Sequence, residues 1–170
     1  MIIEQRIALD APREQVWEFL MDVPAVGKCV PGVEAVTPLD GDRYTGALRV
    51  KIGPISARLE GTMILTERDH EAWRARMDAQ GSDRHIGGAV SAKMTMRLEA
   101  RPDGGTDMAV HTDASVLGKL GQFGQAIIKR QADQLMAEFA RNVSRELATT
   151  SDQGHRMTGN GGQSPPSSRL

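Results

Sequence analysis

This 170-residue chain has one cysteine, no long apolar run and no excess of positive charge. Each absence excludes a class of protein. A single cysteine, Cys29, excludes an intrachain disulfide and fits a reducing compartment. No apolar run approaches the roughly 20 residues that span a bilayer, and the first residues lack the apolar stretch of a signal peptide. Lys and Arg total 21 against 22 Asp and Glu. The chain therefore lacks the excess of positive charge that is typical of nucleic-acid-binding proteins. We therefore expect one soluble, cytoplasmic domain, with any membrane contact peripheral at the inner face of the cytoplasmic membrane.

Hydrophobic periodicity predicts the order of the secondary structure elements. Alternation over residues 3–9 predicts a first strand. Asp10 and Pro12 favour the start of a helix, and Asp22 favours a second short helix that ends near Pro31. Alternation then resumes and predicts six further strands, including 43–52, 55–65, 73–79, 86–98 and 108–116. Apolar residues at helical spacing predict one long last helix from 118 to about 148.

This order predicts an α+β fold over residues 1–148. A curved antiparallel sheet of about seven strands wraps around the long C-terminal helix, with two short helices after the first strand, and is covered on one side only. Residues 149–170 are rich in Ser, Gly, Gln and Pro and have almost no apolar content. We expect that segment to be a disordered tail, because it buries too little surface to offset the entropy lost on ordering.

The predicted inward face of the sheet combines large apolar residues with many small ones. The small residues are Gly46, Ala57, Gly61, Ala75, Ala79, Gly88, Ala92 and Ala114. One interpretation is a ligand cavity lined by adaptable side chains, several of them methionines. The other is that small residues let the helix lie closer to the sheet, or permit the sheet to curve. The sequence does not choose between them.

Three glycines, Gly118, Gly121 and Gly124, recur at every third position where the last helix is predicted to begin. Each costs a helix roughly 1 kcal/mol relative to alanine. Stacked on one side of the helix, they would leave a groove that admits a ligand, or permit a tight contact between helix and sheet.

No catalytic or metal-binding motif is present, and we predict no catalytic residue, no metal site and no intrinsic cofactor. The histidines are scattered in sequence, without metal-ligand spacing, at His70, His85, His111 and His155. Cys29 has no companion Cys or His and is expected to be a small core residue. The only polar positions predicted to face inward are Tyr44, Thr112 and Gln131, and Gln131 is equally compatible with a solvated position at the margin of the helix.

The predicted outward face of the sheet has an excess of basic residues. Arg43, Arg49, Lys51, Arg58, Arg74, Arg76, Lys93 and Arg97 stand against Glu60, Asp78 and Glu99. This pattern predicts a basic surface for docking on an acidic protein or an anionic membrane. The alternative is a solvated face whose charges discourage aggregation.

Several short motifs together carry a resemblance to a known family. They are Ala11-Pro12, Val16-Trp17, Cys29-Val30-Pro31-Gly32, the segment 50–54, Gly61-Thr62, Gly105-Thr106 and the segment 118–124. In this order and spacing the sequence closely resembles the CoxG family, the G subunits of carbon monoxide dehydrogenase. The order of elements resembles the helix-grip fold of START-like and Bet v 1-like (SRPBCC) proteins. The resemblance covers about residues 1–145.

The resemblance implies a role beside a molybdenum hydroxylase of the carbon monoxide dehydrogenase type. Members are described as recruiting that enzyme to the cytoplasmic membrane or assisting its maturation, and some are proposed to carry a quinone. Many continue into a C-terminal membrane-binding segment, whereas the tail from Thr149 has no apolar anchor.

We therefore expect a non-catalytic accessory protein that binds an apolar small molecule, such as a quinone or lipid, between the sheet and the last helix. Its partner would be that hydroxylase, and its contact with an anionic membrane surface transient. The candidate ligand-binding residues are Val30, Leu48, Val50, Leu59, Met63, Met94, Met96, Phe123, Gly124, Ile127 and Ile128. A ligand-free maturation or scaffolding factor is one alternative, and an enzyme of the helix-grip superfamily is another.

Overall fold

Seven strands form one antiparallel sheet in the order β1-β7-β6-β5-β4-β3-β2 in a computed structural model that describes residues 1–157, with side chains through residue 150. The strands are β1 (Ile2–Leu9), β2 (Val33–Leu39), β3 (Arg43–Ile52), β4 (Ile55–Asp69), β5 (Arg74–Asp83), β6 (Gly88–Ala100) and β7 (Thr106–Gly118). The helices are α1 (Arg13–Met21), α2 (Val23–Gly27), a 3₁₀ helix (Lys119–Phe123) and α3 (Gln125–Met157). The predicted α+β architecture and the order of its elements are confirmed.

The two short helices start differently from one another. At α2, the Asp22 carboxylate accepts a hydrogen bond from the Ala25 amide at 3.3 Å, as the sequence predicts. At α1, the N-cap residue is Pro12, which has no side-chain hydrogen bond to offer. Asp10 is not the cap that we expected, because its carboxylate lies 3.2 Å from the Arg101 guanidinium instead.

The predicted last helix is interrupted at its start and continues past its expected end. Gly118 and Gly124 have φ of 71° and 81°, which end the strand and separate the 3₁₀ helix from α3. The three glycines therefore do not stack on one side of an α-helix, and that prediction is wrong. The close approach that was the alternative is present, because a Cβ at Gly118 would lie 1.9 Å from the Gly87 carbonyl oxygen and one at Gly121 would lie 2.5 Å from that of Val116. At the other end, α3 continues beyond Ala148 to Met157. Most of the predicted disordered tail lies outside the described residues.

The apolar core consists of two separate clusters on the inner face of the sheet. We call the first the α1 cluster; it joins α1 to the second half of α3 and includes Val16, Trp17 and Val143. We call the second the 3₁₀ cluster; it joins Leu120 of the 3₁₀ helix to β3 and β4. Leu120 and Val143 are both 0% exposed, so each end of the inner face is firmly packed.

Candidate ligand-binding site

Between the two clusters, six neighbouring inward positions of the sheet carry only alanine or glycine. Strand register places Ala114, Ala92 and Ala79 directly opposite one another on β7, β6 and β5. The next inward row across β5, β4 and β3 consists of three glycines. We call these six residues the small-residue band: Ala79, Ala92, Ala114, Gly46, Gly61 and Gly81. None of its alanines belongs to either core cluster.

Close approach of the backbone explains two of the glycines in the band. A Cβ atom at Gly61 would lie 1.8 Å from the Gln80 carbonyl oxygen, and one at Gly46 would lie 3.3 Å from the Ala35 carbonyl oxygen. The backbone curvature therefore requires glycine at Gly61 and favours it at Gly46. At Gly88, outside the band, a Cβ would meet the Leu120 side chain at 2.8 Å. The curvature and close-packing interpretations thus explain Gly46, Gly61 and Gly88.

The first half of α3 lies beside β1 and leaves apolar side chains on its inner side only partly buried. Along the inner side of the helix, Phe139 and Val143 are 8% and 0% exposed, but Ile128 and Leu135 are only half-buried. Ile127 is 40% exposed. In a packed interior, apolar side chains that face a sheet would be buried. We call the space between the small-residue band and the first half of α3 the inner gap.

The second half of the helix is fixed more firmly than the first. The Asn142 side-chain amide donates to the Cys29 carbonyl oxygen at 2.9 Å, next to the buried Val143. In the first half, the side-chain amide of Gln5 donates to Asp133 at 3.0 Å, and that bond is exposed to solvent. Hydrogen bonds in solvent contribute little to stability. The second half of the helix is therefore held to the rest of the domain by more buried contacts than the first half.

The predicted ligand-binding residues surround the inner gap at different places. Val30, Met94 and Met96 pack against the α1 cluster, and Val50, Leu59 and Phe123 belong to the 3₁₀ cluster. Leu48, Met63 and Ile128 belong to neither and are half-buried. Ile127 lies largely outside, and Gly124 forms the break before α3 with no atom within 4 Å of its missing Cβ. Contact with a ligand stays a prediction for all of them.

The sequence-based list of ligand-binding residues left out three groups that alternation places on the inward face. Ala79, Ala92 and Ala114 were assigned inward from the sequence, but only the strand register shows that they form one row. Met77 lies opposite Met94 on the neighbouring strand, and alternation alone is enough to predict its inward position. Thr112, which the sequence noted only as a polar inward position, is 8% exposed on the same face of β7.

An aromatic group closes the α1 end of the inner face. The Trp17 ring stacks on His70 at 5.3 Å, and His70 meets Trp73 edge-on at 4.7 Å. Arg13 lies 4.1 Å above the Trp73 ring, and His70 Nε2 lies 2.9 Å from the Glu14 carboxylate. Trp73 adopts a φ of 53°, a left-handed conformation that costs roughly 1–2 kcal/mol. His70 is therefore part of this group rather than an isolated surface histidine.

The comparison with protein-family profiles identifies the family of this chain. The profile of CoxG, described as the G subunit of carbon monoxide dehydrogenase, matches residues 6–148. The chain belongs to the CoxG family. Comparison with curated protein sequences finds no significant match.

Solved structures agree with the helix-grip architecture that CoxG membership implies. A conserved protein from Geobacillus kaustophilus superposes with a TM-score of 0.81 at 23% identity, over 88% of this chain and 97% of that one. A START superfamily protein from Mycobacterium smegmatis gives 0.63 at 12% identity, over 88% and 98%. The Zhui aromatase/cyclase from Streptomyces sp. R1128 gives 0.62 at 16% identity, over 96% and 99%. These likenesses establish a START-like fold, a fold that also supports an enzyme.

The outward face of this CoxG-family sheet is not the basic surface that the sequence predicts. Arg58 pairs with Glu34 at 2.9 Å, and Arg74 and Arg76 lie 2.7 Å and 3.0 Å from Glu67. The Arg58 hydrogen bond is the main reason that the pKa of Glu34 is lowered, and Arg74 has the same effect on the pKa of Glu67. These carboxylates come from neighbouring strands and were not counted with the arginines. The face carries mixed charge.

A shallow cavity of about 420 Å³ lies on that outward face, opposite the small-residue band. Seven of its ten lining residues are polar or charged: Thr62, Asp78, Gln80, Ser91, Lys93, Asp113 and Ser115, beside Ile64, Ala79 and Ala92. These polar side chains and its openness to solvent make it unsuitable for an apolar ligand. The half-buried apolar side chains that face the sheet make the inner gap the candidate site of the CoxG-family domain.

Two further groups define the electrostatics near the core clusters. The Asp83 carboxylate accepts hydrogen bonds from the Arg58 amide at 2.8 Å and the His85 amide at 2.8 Å, which lower its pKa. Burial raises the pKa of the Cys29 thiol, in keeping with a core residue. Across the described part of the chain, no three His, Cys, Asp or Glu side chains come together as a metal site. Over the same residues, no helix is both long and apolar enough to cross a membrane.

Proposed function

We propose that this chain is a carrier for an apolar small molecule, which binds in the inner gap. The observation that carries the proposal is the half-buried state of Leu48, Met63 and Ile128 between two firmly packed clusters. Apolar surface that faces inward and stays accessible gains free energy when a ligand covers it, by about 25 cal/mol per Å². A guest molecule would therefore complete a core that the chain leaves incomplete.

The shape of the site favours a flexible or flat apolar ligand such as a quinone or a lipid. The alanine floor offers a smooth surface, and methionines at positions 63, 77 and 94 border it. Methionine side chains have three rotatable bonds and adapt to guests of irregular shape. We propose a prenylated quinone in particular, since its ring and tail are both largely apolar.

The proposed partner is a molybdenum hydroxylase of the carbon monoxide dehydrogenase type. The family description, which names carbon monoxide dehydrogenase, supports this partner. In this proposal the protein moves the ligand between that enzyme and the cytoplasmic membrane, with brief peripheral contact at the membrane. It performs no chemistry itself: Tyr44, Thr112 and Gln131, the polar positions predicted inside, are poor proton-transfer groups near neutral pH.

The proposal is tested on full-length protein purified without detergent from its own host. Native mass spectrometry followed by solvent extraction should reveal one apolar molecule per chain, and the partner hydroxylase should co-purify. Protein that contains no such molecule and takes up no added quinone would contradict the carrier role. If that protein still bound the hydroxylase, it would be a scaffolding or maturation factor.

A further inference from the structure

The turns of this antiparallel sheet alternate between its two ends, and the two ends differ in character. One end consists of the turns after β3 and β5, the 3₁₀ helix and the first two turns of α3; we call it the 3₁₀ end. Its parts are in contact. The Lys119 amide donates to the Gly87 carbonyl oxygen at 3.3 Å, and a Cβ at Gly53 would lie 3.3 Å from the Phe123 ring. The 3₁₀ helix therefore joins both turns to the start of α3 in one surface.

The 3₁₀ end carries exposed cations that have no carboxylate partner. None of these cations forms an ion pair with a residue that the structure describes. They are Lys51, Arg84, Lys119, Lys129 and Arg130. The sequence from Ala114 to Ala132 contains no Asp or Glu. This end is therefore basic.

The two carboxylates nearest to these cations are already engaged. Asp83 is buried, and its oxygens accept hydrogen bonds from the Arg58, His85 and Ile86 amides. Asp133, just beyond the first two turns of α3, accepts a hydrogen bond from the Gln5 side chain. Neither carboxylate forms an ion pair with the cations of the 3₁₀ end within the described chain.

The opposite end of the sheet has the opposite charge. It consists of the turns after β2, β4 and β6, together with α1, whose Trp17 stacks on His70. Its acidic residues are Asp10, Glu14, Glu18, Asp40, Asp42, Asp69, Glu71 and Asp103, and its basic residues are Arg13, Arg43, Arg68 and Arg101. The formal charge of -1 for the whole chain therefore conceals a charge asymmetry along the strands. Such an asymmetry turns the 3₁₀ end toward an anionic surface.

Apolar side chains are exposed at the same basic end. Leu117 is 62% exposed and Ile127 is 40% exposed, and the two flank the 3₁₀ helix in the sequence. Aliphatic side chains among lysines and arginines are typical of surfaces that lie in the interface of an anionic bilayer. A protein partner presents charges of both signs, whereas an anionic bilayer is negative throughout and apolar beneath its surface. The combination at the 3₁₀ end therefore fits a bilayer better than a protein.

We infer that the 3₁₀ end is a docking surface for an anionic lipid bilayer. Its cations contact lipid phosphates, and Leu117 and Ile127 enter the boundary between head groups and acyl chains. The inference goes beyond ligand carriage, and it rests on the proposed function only for its consequence. That consequence is that the 3₁₀ cluster, which borders the inner gap, lies next to the bilayer, so that an apolar ligand crosses little water.

The first test removes charge from the 3₁₀ end. Delipidated full-length protein is sedimented with vesicles of phosphatidylcholine, with or without phosphatidylglycerol. Wild type should bind only the anionic vesicles, and about 1 M salt should release most of it. Arg84→Gln/Lys119→Gln should bind about 25-fold more weakly, at about fivefold per cation. The matched control, Lys93→Gln/Arg97→Gln, removes the same charge from the outward face of β6 and should bind as wild type does.

The second test removes apolar surface without changing charge. Leu117→Ser should weaken binding to anionic vesicles about fivefold, because its side chain no longer leaves water on docking. Leu39→Ser is the matched control, since Leu39 is 50% exposed at the end of β2 on the opposite side of the sheet. It should bind as wild type does. All these side chains are exposed, so the variants should unfold at the wild-type Tm.

Each outcome supports or overturns the docking surface. Equal vesicle binding by wild type and Arg84→Gln/Lys119→Gln, or equal wild-type binding to neutral and anionic vesicles, would overturn it. A loss in that double variant with no loss in Leu117→Ser would indicate a surface for an acidic protein and also overturn it.

Titration with a decyl-substituted benzoquinone, without vesicles, separates docking from the carrier function. Arg84→Gln/Lys119→Gln should bind the quinone as wild type does while it fails to dock. Wild type that docks through the 3₁₀ end but binds no quinone would contradict the carrier function and leave the docking surface in place.

Discussion

Filling the inner gap with protein atoms should stabilise the empty protein and abolish ligand binding. Ala92 lies at the centre of the alanine row, between Ala79 and Ala114, and is half-buried. Leucine at this position adds three carbon atoms. Each newly buried carbon contributes about 0.8 kcal/mol, so Ala92→Leu gains up to about 2.4 kcal/mol if the space above it is unfilled. Because α3 covers this position only partly, we expect about half of that gain.

The opposite sign is expected if the space is already packed. Adding methylene groups to a filled core costs roughly 1–3 kcal/mol, since side chains and backbone must shift. The two cases therefore differ in sign as well as in size. For a chain of this length, each kcal/mol changes the Tm by about 2–4 °C, which thermal unfolding resolves easily.

The assay uses delipidated protein in thermal and urea unfolding, followed by titration with a decyl-substituted benzoquinone. Ser91→Leu is the matched control, because Ser91 is the preceding residue on β6 and faces outward. We expect the control to change stability by less than about 0.5 kcal/mol and to bind the quinone normally. A destabilised Ala92→Leu that still binds the quinone would refute the inner gap as the binding site.

Three further predictions concern the framework around the site. Leu120 is fully buried and packs against Gly88. Leu120→Ala should lower the free energy of unfolding by about 2–5 kcal/mol in urea titrations. A loss below about 1 kcal/mol would contradict a role of Leu120 in anchoring the 3₁₀ helix. The lowered pKa of Asp83 means that its contribution to stability is present above its ordinary pKa of 3.8 and is lost as pH falls through the folded value. Asp83→Asn should therefore reduce the difference in the free energy of unfolding between pH 7 and pH 3. An unchanged difference would show that the Asp83 carboxylate does not cause this pH dependence. Burial raises the pKa of Cys29, so a thiol reagent at pH 7.5 should label the folded protein far more slowly than the urea-unfolded chain; equal rates would contradict burial.

Alternation along the strands was sufficient to predict the sheet and its inward side. A strand's side chains change face at every residue, so local sequence determines which residues share a face. Leu48, Met63 and Met94 were assigned inward on this basis, and the structure places them there. The boundaries of the last helix were predicted less well, because Gly118 and Gly124 also fit a helical spacing. Their positive φ angles depend on how the chain leaves β7.

The features that define the site depend on relations between strands, which local periodicity does not contain. The alanine row exists only because the register pairs Ala79 with Ala92 and Ala92 with Ala114. The mixed charge of the outward face depends on Glu34, which is 24 residues from Arg58 in sequence. A register one residue different would remove both features. Sequence alone therefore predicted the inward position of each alanine but not that the three form one row.

Methyl NMR of labelled methionines tests occupancy of the inner gap without any substitution. Met63, Met77 and Met94 face the gap, whereas Met108 is 3% exposed within the α1 cluster and Met21 packs at its edge. Titration with a decyl-substituted benzoquinone should shift the first three methyl signals together, saturate at one molecule per chain and leave Met21 and Met108 nearly unchanged. Signals that do not move, or that all move by similar amounts without saturation, would contradict a specific ligand site between the sheet and α3.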